Sequence, residues 1–271
     1  MIRRASEFAR SNQSTDSCTR RHRKNFPSVE TIARPPDPSD RLNRMTDTTA
    51  DPPSTSTVNL VRSSHPWTQA DSAAGFVLRY LVPVRRQLID VLGTPAAADE
   101  ALKLLLGHLV SVGFGDHNQG RLRDFLLRAL RSAAKTRANE KPGAVTPDLS
   151  GVTPESKRWL GYWRDGLLER AWRALERHEH GGEDPPFYTL LHAATGQPSA
   201  TPQMLAVSVR EEIGVEIDPS RVEETLRQAR TLFAQFIADE VAETLEDPSK
   251  EDVKREIVQL GLAKAFAGMQ V

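Results

Sequence analysis

The sequence predicts an all-α chain: two small helical domains joined by a linker, the second containing a helix-turn-helix. Three observations predict it. Apolar residues recur at three- and four-residue spacing from Trp67 to the C-terminal region. Helix-start and helix-stop residues punctuate that pattern at short intervals. A non-periodic stretch at 139–153, containing Pro and Gly, divides it in two.

Residues 1–60 come first and are rich in Ser, Thr, Pro and Arg. They show no apolar period, so burial cannot offset their ordering entropy, and they are expected to form a disordered leader. Met45 offers a second translation start within it. The first domain, 61–138, opens with a stripe of Phe76, Val77, Tyr80, Leu81, Val84, Leu88 and Leu92. Pro83 should kink or divide that helix, and Gly93 should close it. Thr94-Pro95 then pairs an N-cap with proline at the first helical position, and Ala98, Leu102, Leu105, Leu106, Leu109 and Val110 continue inward. After a loop at 113–120, a third helix is expected from about Leu122 to Ala138. Its outward faces carry Arg121, Arg123, Arg128, Arg131, Lys135 and Arg137.

The linker leads to the second domain, 154–247. Trp159, Trp163, Leu167, Ala171 and Leu175 recur every four residues there, and a polar break near 178–186 precedes a short helix at 187–194. Thr201-Pro202 caps a helix bearing Leu205, Val209 and Ile213, which Gly214 ends. Asp218-Pro219 starts a long helix, and Ile217 can pack on Val222 to fix its approach angle. Helix, tight turn and capped second helix is the arrangement that lays a helix start into a major groove. Ser220, Arg221, Thr225, Arg227, Gln228 and Arg230 are the residues placed to reach DNA. Two packed helices with no DNA fit the same pattern. A helical tail, 248–271, completes the chain.

The formal charge sums to zero but is unevenly spread. Residues 1–44 carry ten Lys/Arg against five acids, residues 60–141 twelve against seven, and residues 142–271 fourteen against twenty-two. A polyanion is therefore expected mainly on the first domain. The uncharged, apolar-rich run Leu104–Gly115 is about half the ~20 residues of a spanning helix. With no apolar run after the basic start, a cytoplasmic protein is expected. The single cysteine, Cys18, excludes an intramolecular disulfide and leaves a cysteine-ligated metal site without support.

The run Ala97 to Leu105 (AADEALKLL) resembles the second-region helix of extracytoplasmic-function sigma factors, the bacterial transcription initiation subunits. Gly120 to Arg131 (GRLRDFLLRALR) resembles the next helix of that family, and Val222 to Phe233 (VEETLRQARTLF) is similar to its fourth-region recognition helix. The Trp-rich helix from Trp159 and the tail from Ile237 look like a long-tailed branch of the family. The resemblance covers roughly 67–265, with the order of motifs carrying most of it. It implies that the first domain docks on core RNA polymerase through Asp99, Glu100 and Lys103 and holds unstacked −10 bases. The second would read the −35 major groove. It also implies promoter DNA as a partner, admits an anti-sigma protein, and requires neither membrane nor cofactor. The chain departs from the family at Lys103-Leu104, where Gln and Glu are usual, at Ala138-Asn139-Glu140, and at Glu223 and Glu224. A sigma-derived helical interaction module without promoter binding fits those departures.

Other constellations carry less. His178 and His180 stand two residues apart, which on a helix turns them to different faces, so with Glu183 and Asp184 they suggest a solvated helix end rather than a metal site. Gly113-Phe114-Gly115 lacks a preceding strand and reads as a loop. No nucleophile sits in a recognisable context, and a non-enzymatic protein is expected.

Overall fold

Helix ends in the computed structural model fall where short polar residues, prolines and glycines stand in the sequence. The structure describes residues 56–62, 65–115, 119–140, 146–182 and 185–271. Among them are nine α-helices: α1 Ala73–Leu78, α2 Leu81–Leu92, α3 Pro95–Val112, α4 Leu122–Glu140, α5 Lys157–Gly181, α6 Phe187–Gly196, α7 Pro202–Ile213, α8 Val222–Glu243 and α9 Lys250–Gln259. The described residues contain no strand, only isolated bridges between Thr57 and Gln270 and between Arg121 and Leu245. The chain is all-α. Most of the leader (1–55) lies outside the described residues, as do 116–118 of the first loop and the Glu183-Asp184 pair.

Side-chain oxygens cap five of the helices. Ser72, Thr94, Ser156, Thr201 and Ser249 each accept from the backbone N–H three residues on, a contact worth about 1 kcal/mol. Gly93 (φ 78°) and Gly214 (φ 74°) end α2 and α7 in the left-handed region that other residues avoid. Two boundaries differ from the sequence expectation. The first apolar stripe breaks at Arg79-Tyr80, ahead of Pro83, and Pro83 lies in the first turn of α2, where a missing N–H leaves no bond unmade. The long helix begins at Val222, because Asp218 accepts from Ser220 N at 2.9 Å and tightens Pro219–Arg221 into a 3₁₀ turn.

The described residues belong to one compact unit. Its larger core joins Trp67, Leu88, Leu126 and Leu130 from the first segment to Trp159, Trp163 and Leu167 of α5, Ile237 and Val241 of α8, and Ile257 and Leu262 of the tail. A smaller core gathers Leu175, Leu190, Val209, Val222, Leu226 and Ala229 from α5 to α8. Phe233 and Phe236 pack against both. The two segments expected as separate domains thus share a core. The described part of the linker buries Leu149 and Val152 in it rather than spacing the domains apart. Val58 and Leu60, expected in the leader, are buried there too. Val58 N donates to Gln270 O (2.9 Å), and Gln270 N donates to Ser56 O (3.0 Å). No apolar period signals these short stretches, since each contributes only one or two residues to the core.

A polar latch links the α1–α2 junction to α5 and α8 beside this core. Arg170 pairs with both oxygens of Glu240 (2.6 and 2.8 Å). Arg79 pairs with Glu243 (2.6 Å), and the Tyr80 hydroxyl approaches Glu240 at 3.4 Å. Tyr80 also stacks on Trp163, with centroids 5.1 Å apart.

Candidate nucleic-acid interface

The basic residues of α4, with Arg121 just before it, divide into two groups. Arg123 is turned fully inward, 1% exposed. Its guanidinium pairs with Glu256 of α9 (2.6 Å) and donates to Pro154 O (2.9 Å). Arg121 also reaches Glu256 (3.4 Å) and donates to Gln259 (2.9 Å). Arg131 donates to Val152 O (3.0 Å), and Arg137 pairs with Glu100 (2.8 Å). Arg128 and Lys135 are exposed, and neither forms an ion pair among the described residues. They stand seven residues apart and so lie along one line of the helix. Of the six cations expected on this surface, these two face solvent unengaged, while Arg123 lies in the interior.

Beside Arg128 an apolar groove runs between α3 and α4. Leu104, Val112, Phe114 and Ala129 line it, with His108, Ser132 and Thr136 at its edges, around a volume of about 1030 Å³. Phe114 packs edge-on to Trp67 (4.9 Å) and Phe125 (5.4 Å), which anchors its ring in the groove lining.

At the start of α8 the expected residues divide again. Ser220, Arg221, Gln228 and Arg230 are exposed. Thr225 is buried, its hydroxyl donating to Arg221 O at 2.9 Å. Arg227 is occupied: it pairs with Glu224 and donates to Ser56 Oγ at 2.6 Å. Gln228 donates to the same Glu224 (2.8 Å). The hydrogen bond from Arg227, chiefly, holds the Glu224 carboxyl below its ordinary range. One acid of the Glu223-Glu224 pair is thereby ion-paired on the helix itself.

The residues expected at the polymerase contact lie on the first turns of α3. Asp99 is held by both nitrogens of Arg85 (2.6 and 3.0 Å), which lowers its carboxyl below the usual range. Glu100 holds Arg137, and Lys103 is exposed one turn on. These three line one helix but are not near the α8 residues in sequence or in the contacts they make.

The paired histidines sit in the last turn of α5. Glu179 between them accepts from Thr189 N (2.9 Å) and Oγ1 (2.6 Å), and so ties α5 to α6. No group of three or more metal-ligating side chains gathers among the described residues, and none of their helices is long and apolar enough to cross a membrane. Sequence periodicity could not have found Glu256 as the partner of Arg123, because the pair joins positions 133 residues apart. No family model, no curated protein and no solved structure matches this chain.

Proposed function

We propose that this chain is a sigma factor-like transcription initiation protein, acting in the cytoplasm, that binds core RNA polymerase and promoter DNA without covalent chemistry. The observation that carries the reading is the α7–turn–α8 arrangement. A Gly-capped helix, the residues 215–218 and the 3₁₀ turn Pro219–Arg221 lead into α8, with Ser220 and Arg221 of that turn and Gln228 and Arg230 of the helix exposed. The arrangement supports a helix-turn-helix reading, in which the second helix would offer its start to a major groove. Arg128 and Lys135 would contact phosphates, and the α3 surface around Asp99, Glu100 and Lys103 would meet the polymerase.

A second reading is favoured by the internal pairing of Arg121, Arg123, Arg131, Arg137 and Arg227. Cations held by protein groups release fewer counterions from DNA. On that reading the chain is a sigma-derived interaction module that binds protein and not promoter.

The test is a pull-down of core RNA polymerase with the full chain, followed by run-off transcription from the bound complex. Defined start sites, with promoter retention that falls steeply as salt rises, support the initiation reading. Polymerase capture without initiation selects the interaction module. No capture removes the initiation reading and leaves an interaction module only for a protein other than polymerase.

A further inference from the structure

A second surface lies on α5 and α6, away from the residues assigned to DNA and polymerase. Trp172 of α5 stands at right angles to two rings of α6: Tyr188 (centroids 5.9 Å, planes at 84°) and His192 (6.0 Å, 89°). Tyr188 and His192, one helical turn apart, stack at 5.6 Å with planes 12° from parallel. Packing sets this corner in advance. Trp172 is backed by Phe233 of α8 at 4.5 Å, and the Glu179–Thr189 bonds fix the angle between α5 and α6. The rings open into a depression of about 520 Å³ whose charged lining is the carboxylates Asp165, Glu169 and Glu176 and one cation, Arg173.

Two of those carboxylates are already engaged, Asp165 with Arg164 (3.0 Å) and Glu169 with Arg173. Glu176 is half-buried and has no ion-pair partner among the described residues. The local field is negative: burial first, then Glu176, Glu212 and Glu179, pushes the Tyr188 phenol above its ordinary range. Ring faces at right angles attract a cation through their quadrupoles, and the lone carboxylate adds charge and two acceptor oxygens. A guanidinium suits both, being planar enough to stack on a ring and able to pair with a carboxylate through two parallel N–H groups. The excess of eight acids over 142–271 favours a basic segment as the bearer of that group.

We propose that the Trp172–Tyr188–His192 corner, with Glu176, is a docking pocket for an arginine side chain on a basic segment of a partner protein. It does not depend on the transcription reading, and its test uses neither polymerase nor DNA. The full chain, labelled with ¹⁵N, is titrated with a blocked Gly-Arg-Gly peptide while the indole N–H signals are followed. Four tryptophans give four signals. Trp67, Trp159 and Trp163 are buried, so the Trp172 signal, assigned by its loss in Trp172→Phe, is the reporter.

The expected result is a saturable shift of that signal alone, absent with a citrulline peptide of the same length. Binding should weaken about fivefold in Glu176→Gln and measurably in His192→Ala, which is exposed and leaves the core intact. An unchanged thermal melt verifies that each variant is folded. No saturable shift, an equal response to citrulline, or undiminished binding by both variants overturns the pocket. An equal response to lysine overturns its assignment to arginine.

Discussion

Arg123 and Glu256 are 1% and 2% exposed, and each is the other's shortest ion-pair contact. Removing one partner of a buried pair leaves the other uncompensated, at a cost of about 3–5 kcal/mol. Glu256→Gln should fall at the lower end, about 3 kcal/mol, because Asp124 (2.9 Å) and Pro154 O still face Arg123. Urea denaturation reads this directly, and Arg128→Ala, on the exposed side of the same helix, should change stability by less than about 0.5 kcal/mol. Tyr80 gives a second prediction. Burial first, then Glu240, pushes its phenol far above the ordinary range. Its stabilising contribution is complete below the unfolded value of about 10 and is lost as pH rises above it. In a titration of the three tyrosines at 295 nm, the Tyr80 share of the signal should appear only with unfolding. Neither role was legible in the sequence. Period alone gives α4 an inward stripe and an outward face, and it cannot show that α9 and residues 146–153 cover part of that face.

At the scale of elements the sequence was far more informative, for a local reason. Thr94-Pro95, Thr201-Pro202, Gly93 and Gly214 act within one turn of where they stand, so α3 and α7 begin, and α2 and α7 end, where those residues put them. The start of α8 shifted because Asp218 can cap a 3₁₀ turn as well as an α-helix. What α4 and α8 do with their charges depends on neighbours instead. Arg227 is spent on Glu224, and the bond from Arg131 to Val152 O makes it a structural residue as well as a cation. Under the initiation reading, the clean comparison sets Arg128→Ala with Lys135→Ala against Arg227→Ala with Arg230→Ala. The α4 pair should weaken promoter binding more and flatten its salt dependence by about two phosphate contacts. Fluorescence anisotropy across a salt series measures it. Equal losses, or a larger loss from the α8 pair, would move the main DNA contact to the second segment.

For the molecule as a whole, the shared core raises a question that the initiation reading must answer. Two segments assigned to different promoter elements cannot move apart while α2 rests on α5. That seam is tight at one point: a Cβ on Gly166 would stand 3.3 Å from the Pro83 ring. It is imperfect elsewhere on the same two helices. Gln87 Oε1 of α2, and the indole nitrogens of Trp159 and Trp163 of α5, are buried without a hydrogen-bond partner. An unsatisfied buried polar atom costs about 1–3 kcal/mol, which exposure to water would return. Two substitutions therefore push the seam in opposite directions. Gly166→Val wedges the helices and should cost about 1–3 kcal/mol. Gln87→Met removes one orphaned oxygen at similar volume and should stabilise by about 1 kcal/mol. If promoter binding requires the seam to part, Gly166→Val should bind promoter more tightly although it is less stable. Gln87→Met should bind more weakly although it is more stable. Thermal melts and promoter anisotropy on the two variants decide the matter. Stability and affinity moving together would make the closed arrangement the DNA-binding form, and α4 and α8 would then have to reach DNA from one rigid body.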